Sequence, residues 1–251
     1  MLQVIDLVKH FGGIKAVDGV SFEVASGECV ALIGPNGAGK STCFACIAGQ
    51  YVPTGGTVSW DGQVLNKLSP ATRLQHGIGR TFQVAQVFES LTVLQNVQLA
   101  AQVNRGPRAH SSISAFRRLD AQARDASLAL LEQAGLHSVA NHEVLSLPYG
   151  AKKRLELAIA LAANPRLLLL DEPAAGLAED ERAGLMQLVK SLAQRGMAVL
   201  YTEHNMDAVA TVADRVLVLI EGRIAAQGSF AQVCSDSTVR ERYLGKGAGH
   251  A

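Results

Sequence analysis

The chain has 251 residues, 48% hydrophobic and 18% charged, with 23 Lys and Arg against 22 Asp and Glu. This composition excludes a disordered chain, and a formal charge of +1 produces no global field that would favour nucleic acid as a partner. No run reaches the roughly 18–20 apolar residues of a membrane span, no signal-peptide pattern opens the chain, and four cysteines are too few for a disulfide scaffold, so a soluble cytoplasmic protein is expected.

In chain order, Val4–Val8, Val20–Val24 and Glu28–Ile33 read as β-strands. Residues 25–28 (Ala-Ser-Gly-Glu) read as a hairpin connection between the second and third. A Gly-rich loop follows, then a helix over Ser41–Ala48 stopped by Gly49. Cys43 and Cys46 fall within this helix, where two small buried side chains explain them better than a redox or zinc site. Thr57–Gly62 reads as strand and turn, and Ile78–Phe82 as another strand. From Val84 to Ala163 the pattern is mostly helical, notably over Ala121–Ala134 and Gly150–Ala163. Asn104–Ser114 is a surface loop, and the arginines around it (Arg105, Arg108, Arg117, Arg118) fit a solvated connector. Leu167–Leu170, Ala198–Tyr201 and Val216–Ile220 are short, almost wholly apolar runs, as in parallel strands buried on both faces. With a helix over Glu179–Arg195 between them, they give an α/β core into which the helical middle is inserted.

Gly34-Pro35-Asn36-Gly37-Ala38-Gly39-Lys40-Ser41 matches the phosphate-loop pattern G-x-x-x-x-G-K-[ST] in full. Glycines let consecutive N–H groups converge on phosphate oxygens. The helix that follows adds its dipole, Lys40 a charge for the β- and γ-phosphates, and Ser41 a hydroxyl for Mg²⁺. Leu167–Leu170 delivers Asp171 and Glu172 to the C-terminal end of a buried strand, where ligands bind in open α/β sheets. One carboxylate can hold a metal shell and the next can polarise a water. His204, after Ala198–Tyr201, and Gln83, after Ile78–Phe82, end neighbouring strands on the same side.

Taken together in this order, these residues resemble an ATP-binding cassette (ABC) ATPase, nearly end to end. The resemblance implies a P-loop NTPase fold of α/β class: a mostly parallel sheet, an N-terminal antiparallel β part and an inserted α-helical subdomain. Residues 1–83 and 164–251 would form the core, and 84–163 the helical subdomain ending in the signature motif. ATP and Mg²⁺ are the implied ligands. Phe11 takes the place of the adenine-stacking aromatic with Val17 nearby, and Gly34–Thr42 (Thr42 included) binds phosphate. Ser41, Gln83 and Asp171 are the metal ligands. Glu172 is the catalytic base, His204 the switch histidine, and Gln83 couples ATP to a transmembrane partner.

The signature segment is Leu147-Pro148-Tyr149-Gly150-Ala151, where the family usually has Leu-Ser-Gly-Gly-Gln. Together with Gly77–Gln83, Leu91–Val97 and Tyr243-Leu244-Gly245, it resembles the ATPases of branched-chain amino acid importers and their amide and urea relatives. Ala178 stands where a carboxylate often links two nucleotide sites, which implies altered cooperativity. The branch implies dimerisation with a second ABC ATPase, identical or paralogous, so that ATP is sandwiched against the partner's signature. It also implies separate integral-membrane permease subunits touched by Val84–Glu89, an indirect link to a solute-binding protein, no nucleic acid, and a peripheral location on the inner membrane face. The alternatives are a cassette of another machine, for lipid export or soluble assembly, and an ATP-gated scaffold with little turnover.

Overall fold

The computed structural model describes residues 1–81, 85–103 and 113–245. Gln83, Val84, Arg105, Arg108 and the side chains of Arg117 and Arg118 lie outside the described residues.

The chain begins with β1 (Leu2–Phe11) and β2 (Ile14–Val24), which pair antiparallel around Gly12 and Gly13. Next come β3 (Cys29–Ile33), α1 (Lys40–Ala48), β4 (Gly55–Trp60), β5 (Gln63–Val64), α2 (Pro70–Gln75) and β6 (Ile78–Arg80). Helices α3 (Val93–Val103), α4 (Ile113–Gln133) and α5 (Tyr149–Ala162) form the middle; α4 begins well before Ala121. The last part runs β7 (Leu167–Asp171), α6 (Glu179–Gln194), β8 (Ala198–Thr202), α7 (Met206–Val212), β9 (Arg215–Ile220), β10 (Arg223–Gly228), α8 (Phe230–Ser235) and α9 (Ser237–Val239), ending in a π-helical turn, Arg240–Leu244.

Two sheets result among the described residues: an antiparallel one ordered β2-β1-β4-β5, and a second ordered β10-β9-β3-β8-β7-β6. In the second, β9, β3, β8, β7 and β6 run parallel, and only β10 is antiparallel to its neighbour. The expected hairpin at residues 25–28 is therefore wrong. β2 pairs with β1, whereas β3 pairs with β8 and β9, so this turn carries the chain from one sheet to the other. Gly27, at φ +82°, supplies the left-handed residue the turn needs.

Side chains alternate across the parallel sheet, as a two-residue period requires. Val30, Leu32, Leu167, Leu169, Leu200 and Leu217 face α1 and the antiparallel sheet. Cys29, Ala31, Leu168, Leu170, Val199 and Val216 face α5, α6 and α7. Helix α1 thus lies between the two sheets with residues 43–48 all buried. A third cluster, including Val93, Val97, Leu131, Leu136 and Leu155, holds α3, α4 and α5 together. Helix α5 serves both groups, since Leu157 and Leu161 face the sheet while Leu155 and Ala158 face the helices.

The C-terminal end of α1 is fastened by Arg73, 1% exposed. Its guanidinium donates to the carbonyls of Cys46 (2.8 Å), Ile47, Leu65 (2.7 Å) and Leu68 (3.1 Å). A cation at the helix C-terminus complements the dipole and caps carbonyls that would otherwise be orphaned. Burial pushes its pKa down to about 10. Among the described residues, no helix is long and apolar enough to cross a membrane.

Candidate active site

Strands β3, β7 and β8 end on one edge of the parallel sheet, and each hands a functional segment to the same cleft. The cleft, about 370 Å³, is lined by residues 36–42 together with Ile14, Lys15, Ala16, Glu172, His204, Glu221 and Gly222.

The loop after β3 can take its path only with glycine at two points. Gly34 has φ +147°, and a Cβ there would lie 2.0 Å from the carbonyl oxygen of Leu219. Gly39 has φ +99°, and its Cβ would lie 2.1 Å from the carbonyl oxygen of Ala16. Gly39 is the N-cap of α1, with no side chain capping the helix. The first N–H groups of α1 are therefore left for an anion. Lys40 is buried, and its ammonium donates to the carbonyls of Gly34 (2.7 Å) and Pro35 (3.0 Å). Burial lowers its pKa, while Glu172 and Asp171 act in the opposite sense. An ammonium held by the loop's own carbonyls is positioned to exchange them for phosphate oxygens.

Opposite the loop, β7 and β8 are in register so that Asp171 lies beside Thr202. The Thr202 hydroxyl donates to Asp171 Oδ1 (2.8 Å) and accepts from the Glu172 N–H (2.9 Å). Asp171 Oδ2 meets Arg80 Nη2 at 3.5 Å. Burial lowers the Arg80 pKa and the carboxylate opposes that shift. Glu172 adopts φ +46°, a left-handed conformation costly for a non-glycine residue. It turns the side chain toward His204, whose Nε2 lies 2.9 Å from Glu172 Oε1.

Of the residues expected at the site, Asn36–Thr42, Glu172 and His204 share the cleft. Asp171 sits behind its wall, and Gly34 and Pro35 form the loop's entry. Val17 does not reach the cleft; it is wholly buried in the core between the sheets, and its neighbours Ile14, Lys15 and Ala16 form the wall instead. Phe11 is half-exposed and packs edge-on against Tyr51, centroids 5.2 Å apart, with Lys9 Nζ 5.0 Å from its centroid. Leu147, Pro148, Tyr149, Gly150 and Ala151 are elsewhere: Pro148 N-caps α5, and Tyr149, half-exposed, lies against Gly176. A Cβ at Gly150 would lie 2.3 Å from a Glu181 carboxylate oxygen. Thr202, Arg80, Glu221 and Gly222 were not foreseen; the position of Thr202 at the end of a buried strand was the one signal available for it.

The residues present fit a nucleoside triphosphate: a glycine loop leading into a helix N-terminus without a side-chain cap, a buried ammonium, and a carboxylate on a left-handed backbone paired with an imidazole. The family model for "ABC transporter" matches residues 17–175. The high-affinity branched-chain amino acid transport ATP-binding proteins BraF of Pseudomonas aeruginosa and LivG of Escherichia coli are 36% and 37% identical to the chain over 250 residues, 98% of this chain and 98% of theirs. The ADP conformation of MJ1267, an ATP-binding cassette of an ABC transporter, superposes with a TM-score of 0.85 at 31% identity, covering 98% of this chain and 99% of that one. Similarity of this extent shows the family: the chain belongs to the ABC transporters as an ATP-binding cassette, an ATPase with the P-loop α/β fold.

Proposed function

We propose that this chain powers import of branched-chain amino acids, or related small polar solutes, through separate membrane permease subunits. The observation that carries the reading is the full-length likeness to BraF and LivG, with the Tyr149-Gly150 signature in place. ATP lies along Asn36–Thr42, with Lys40 leaving the Gly34 and Pro35 carbonyls to meet the β- and γ-phosphates. Phe11 swings from Tyr51 to cover the adenine.

Ser41, Asp171 and Gln83 would hold Mg²⁺, which would supply charge neutralisation to the phosphates. Glu172 Oε1 accepts a proton from the attacking water. His204, touching that same carboxylate, holds it in line and steadies the charge that develops on the γ-phosphate. Because Gly150 starts α5 away from the cleft, the signature serves a second cassette, identical or paralogous. ATP is sandwiched between the two, and hydrolysis releases them. The permease contacts Val84–Glu89, the first residues of the helical part (84–163), and the assembly brings the chain to the inner face of the membrane.

Purification from native cells in mild detergent, followed by mass spectrometry, tests this reading. Recovery of polytopic permeases with a second ATPase supports it, and recovery of soluble partners alone rejects it.

A further inference from the structure

Glu203 separates the catalytic edge from the interior and has no task in the chemistry above. It is 4% exposed, beside the half-exposed His204. Its Oε1 accepts two backbone N–H groups, from His204 at 2.9 Å and from Asn205 at 3.1 Å. Its Oε2 is buried and has no hydrogen-bond partner among the described residues. A buried carboxylate left half-satisfied is costly, so what it gathers must matter. Those two N–H groups belong to the turn between β8 and α7, the turn that carries the switch imidazole.

The next link is Asn205, whose side chain caps α7 by accepting from the Ala208 N–H at 2.8 Å. Carboxylate, turn and helix cap are thus one continuous set of bonds. Behind them are two phenols. Tyr201 Oη is buried and also without a partner, and Tyr243 packs against the same core. Burial raises the pKa of both phenols, and the Glu203 charge acts in the same sense on each.

We infer that Glu203 is a positioning residue for hydrolysis: by tying down the His204 and Asn205 N–H groups, its carboxylate fixes the turn that keeps the His204 imidazole on Glu172. Glu203 does not line the cleft, whereas His204 does, so it acts through His204. The inference draws on the ATPase chemistry of the chain and not on which solute is carried.

The test uses the full-length chain with Mg-ATP. Glu203→Ala lowers kcat by about 10–100-fold, as a displaced catalytic group does, with KM and ATP affinity within about twofold of the parent. Glu203→Gln, whose amide oxygen still accepts both N–H groups, stays within about threefold in kcat. In a His204→Ala background, Glu203→Ala costs less than about twofold more, because a residue acting through His204 has nothing left to position. The imidazole resonances of His204 in apo protein move in Glu203→Ala and not in Glu203→Gln.

A kcat unchanged in Glu203→Ala, an undiminished second loss in the His204→Ala background, or a Glu203→Gln variant as slow as Glu203→Ala would each overturn the inference. Should Glu203→Ala not fold, Glu203→Gln decides by itself: parental kcat and His204 resonances support the inference, and a tenfold loss of kcat refutes it.

Discussion

His204 Nε2 and Glu172 Oε1 are 2.9 Å apart on two different strand ends, and the backbone strain at Glu172 (φ +46°) is what brings them together. A carboxylate so held can take a proton but cannot wander. Glu172→Gln keeps the shape and loses the base, so turnover falls by about 10²–10⁴-fold while ATP binding persists. Gel filtration with Mg-ATP then shows the variant accumulating as a dimer, which the parent does only transiently. A variant hydrolysing ATP at more than a tenth of the parental rate would remove Glu172 from the role of base.

Gly39 and Gly12 separate close approach from backbone conformation alone. Both have positive φ, +99° and +58°, but a Cβ at Gly39 strikes the Ala16 carbonyl whereas one at Gly12 meets nothing within 4 Å. Gly12→Ala costs about 1 kcal/mol, measured by urea unfolding, and leaves nucleotide binding intact. Gly39→Ala must move either the loop or Ala16, both of which line the cleft. It weakens binding of a fluorescent ATP analogue at least tenfold.

Arg73 binds four carbonyls in the interior and, among the described residues, pairs with no carboxylate. Arg73→Met fills much of the volume but leaves those carbonyls, on α1 and on the Leu65–Leu68 segment, without donors. The loss is about 3–5 kcal/mol, a fall in Tm of roughly 6–20 °C for a chain of this size. Activity of the folded fraction is retained, because Lys40 at the other end of α1 keeps its own contacts.

Three cysteines are buried and one is partly exposed. Burial raises the Cys43 thiol and pushes Cys46 up to about 11 and Cys29 up to about 12, from 9.0. Folded pKa values above the unfolded ones stabilise the native state fully below pH 9 and progressively less as pH climbs toward 11–12. Urea midpoints therefore fall between pH 8 and pH 10.5. At pH 8 a thiol reagent labels Cys234 first and reaches the other three only on unfolding. Rapid native labelling of Cys43 would contradict its placement.

The placement of the Gly34–Thr42 loop, of Asp171 and Glu172 and of His204 at strand ends is legible because each depends on a local pattern: a glycine spacing, or an apolar run ended by a polar residue. Those patterns record which strand end a residue occupies, and the parallel sheet then assembles them. Pairing partners leave no such local trace. The Ser26-Gly27 turn has the chemistry of a hairpin, yet it joins strands of different sheets. Strand β10 (Arg-Ile-Ala-Ala-Gln-Gly) lacks the bulk of a buried strand and was not foreseen, because it is an edge held on one side by β9. Val17 differs from Ala16 by one step along β2, and strand alternation sends one side chain to the core and leaves the other at the cleft. Arg73 carries no local signal of its role, since nothing in its neighbourhood announces that it gathers two carbonyls from the end of α1 and two from the segment just before its own helix.

The register that sets Asp171 beside Thr202 also determines where this chain tolerates changes in length. Inserting or deleting one residue inside β7 or β8 would exchange the two faces of that strand, sending Leu168 or Val199 to the wrong core and breaking the contacts that Asp171 and Glu172 make with Thr202. The turn at Gly196, which enters β8 at the opposite end of the strand, has open space around it, since a Cβ there meets nothing within 4 Å. An insertion placed in that turn leaves the pairing of Asp171 with Thr202 as it is.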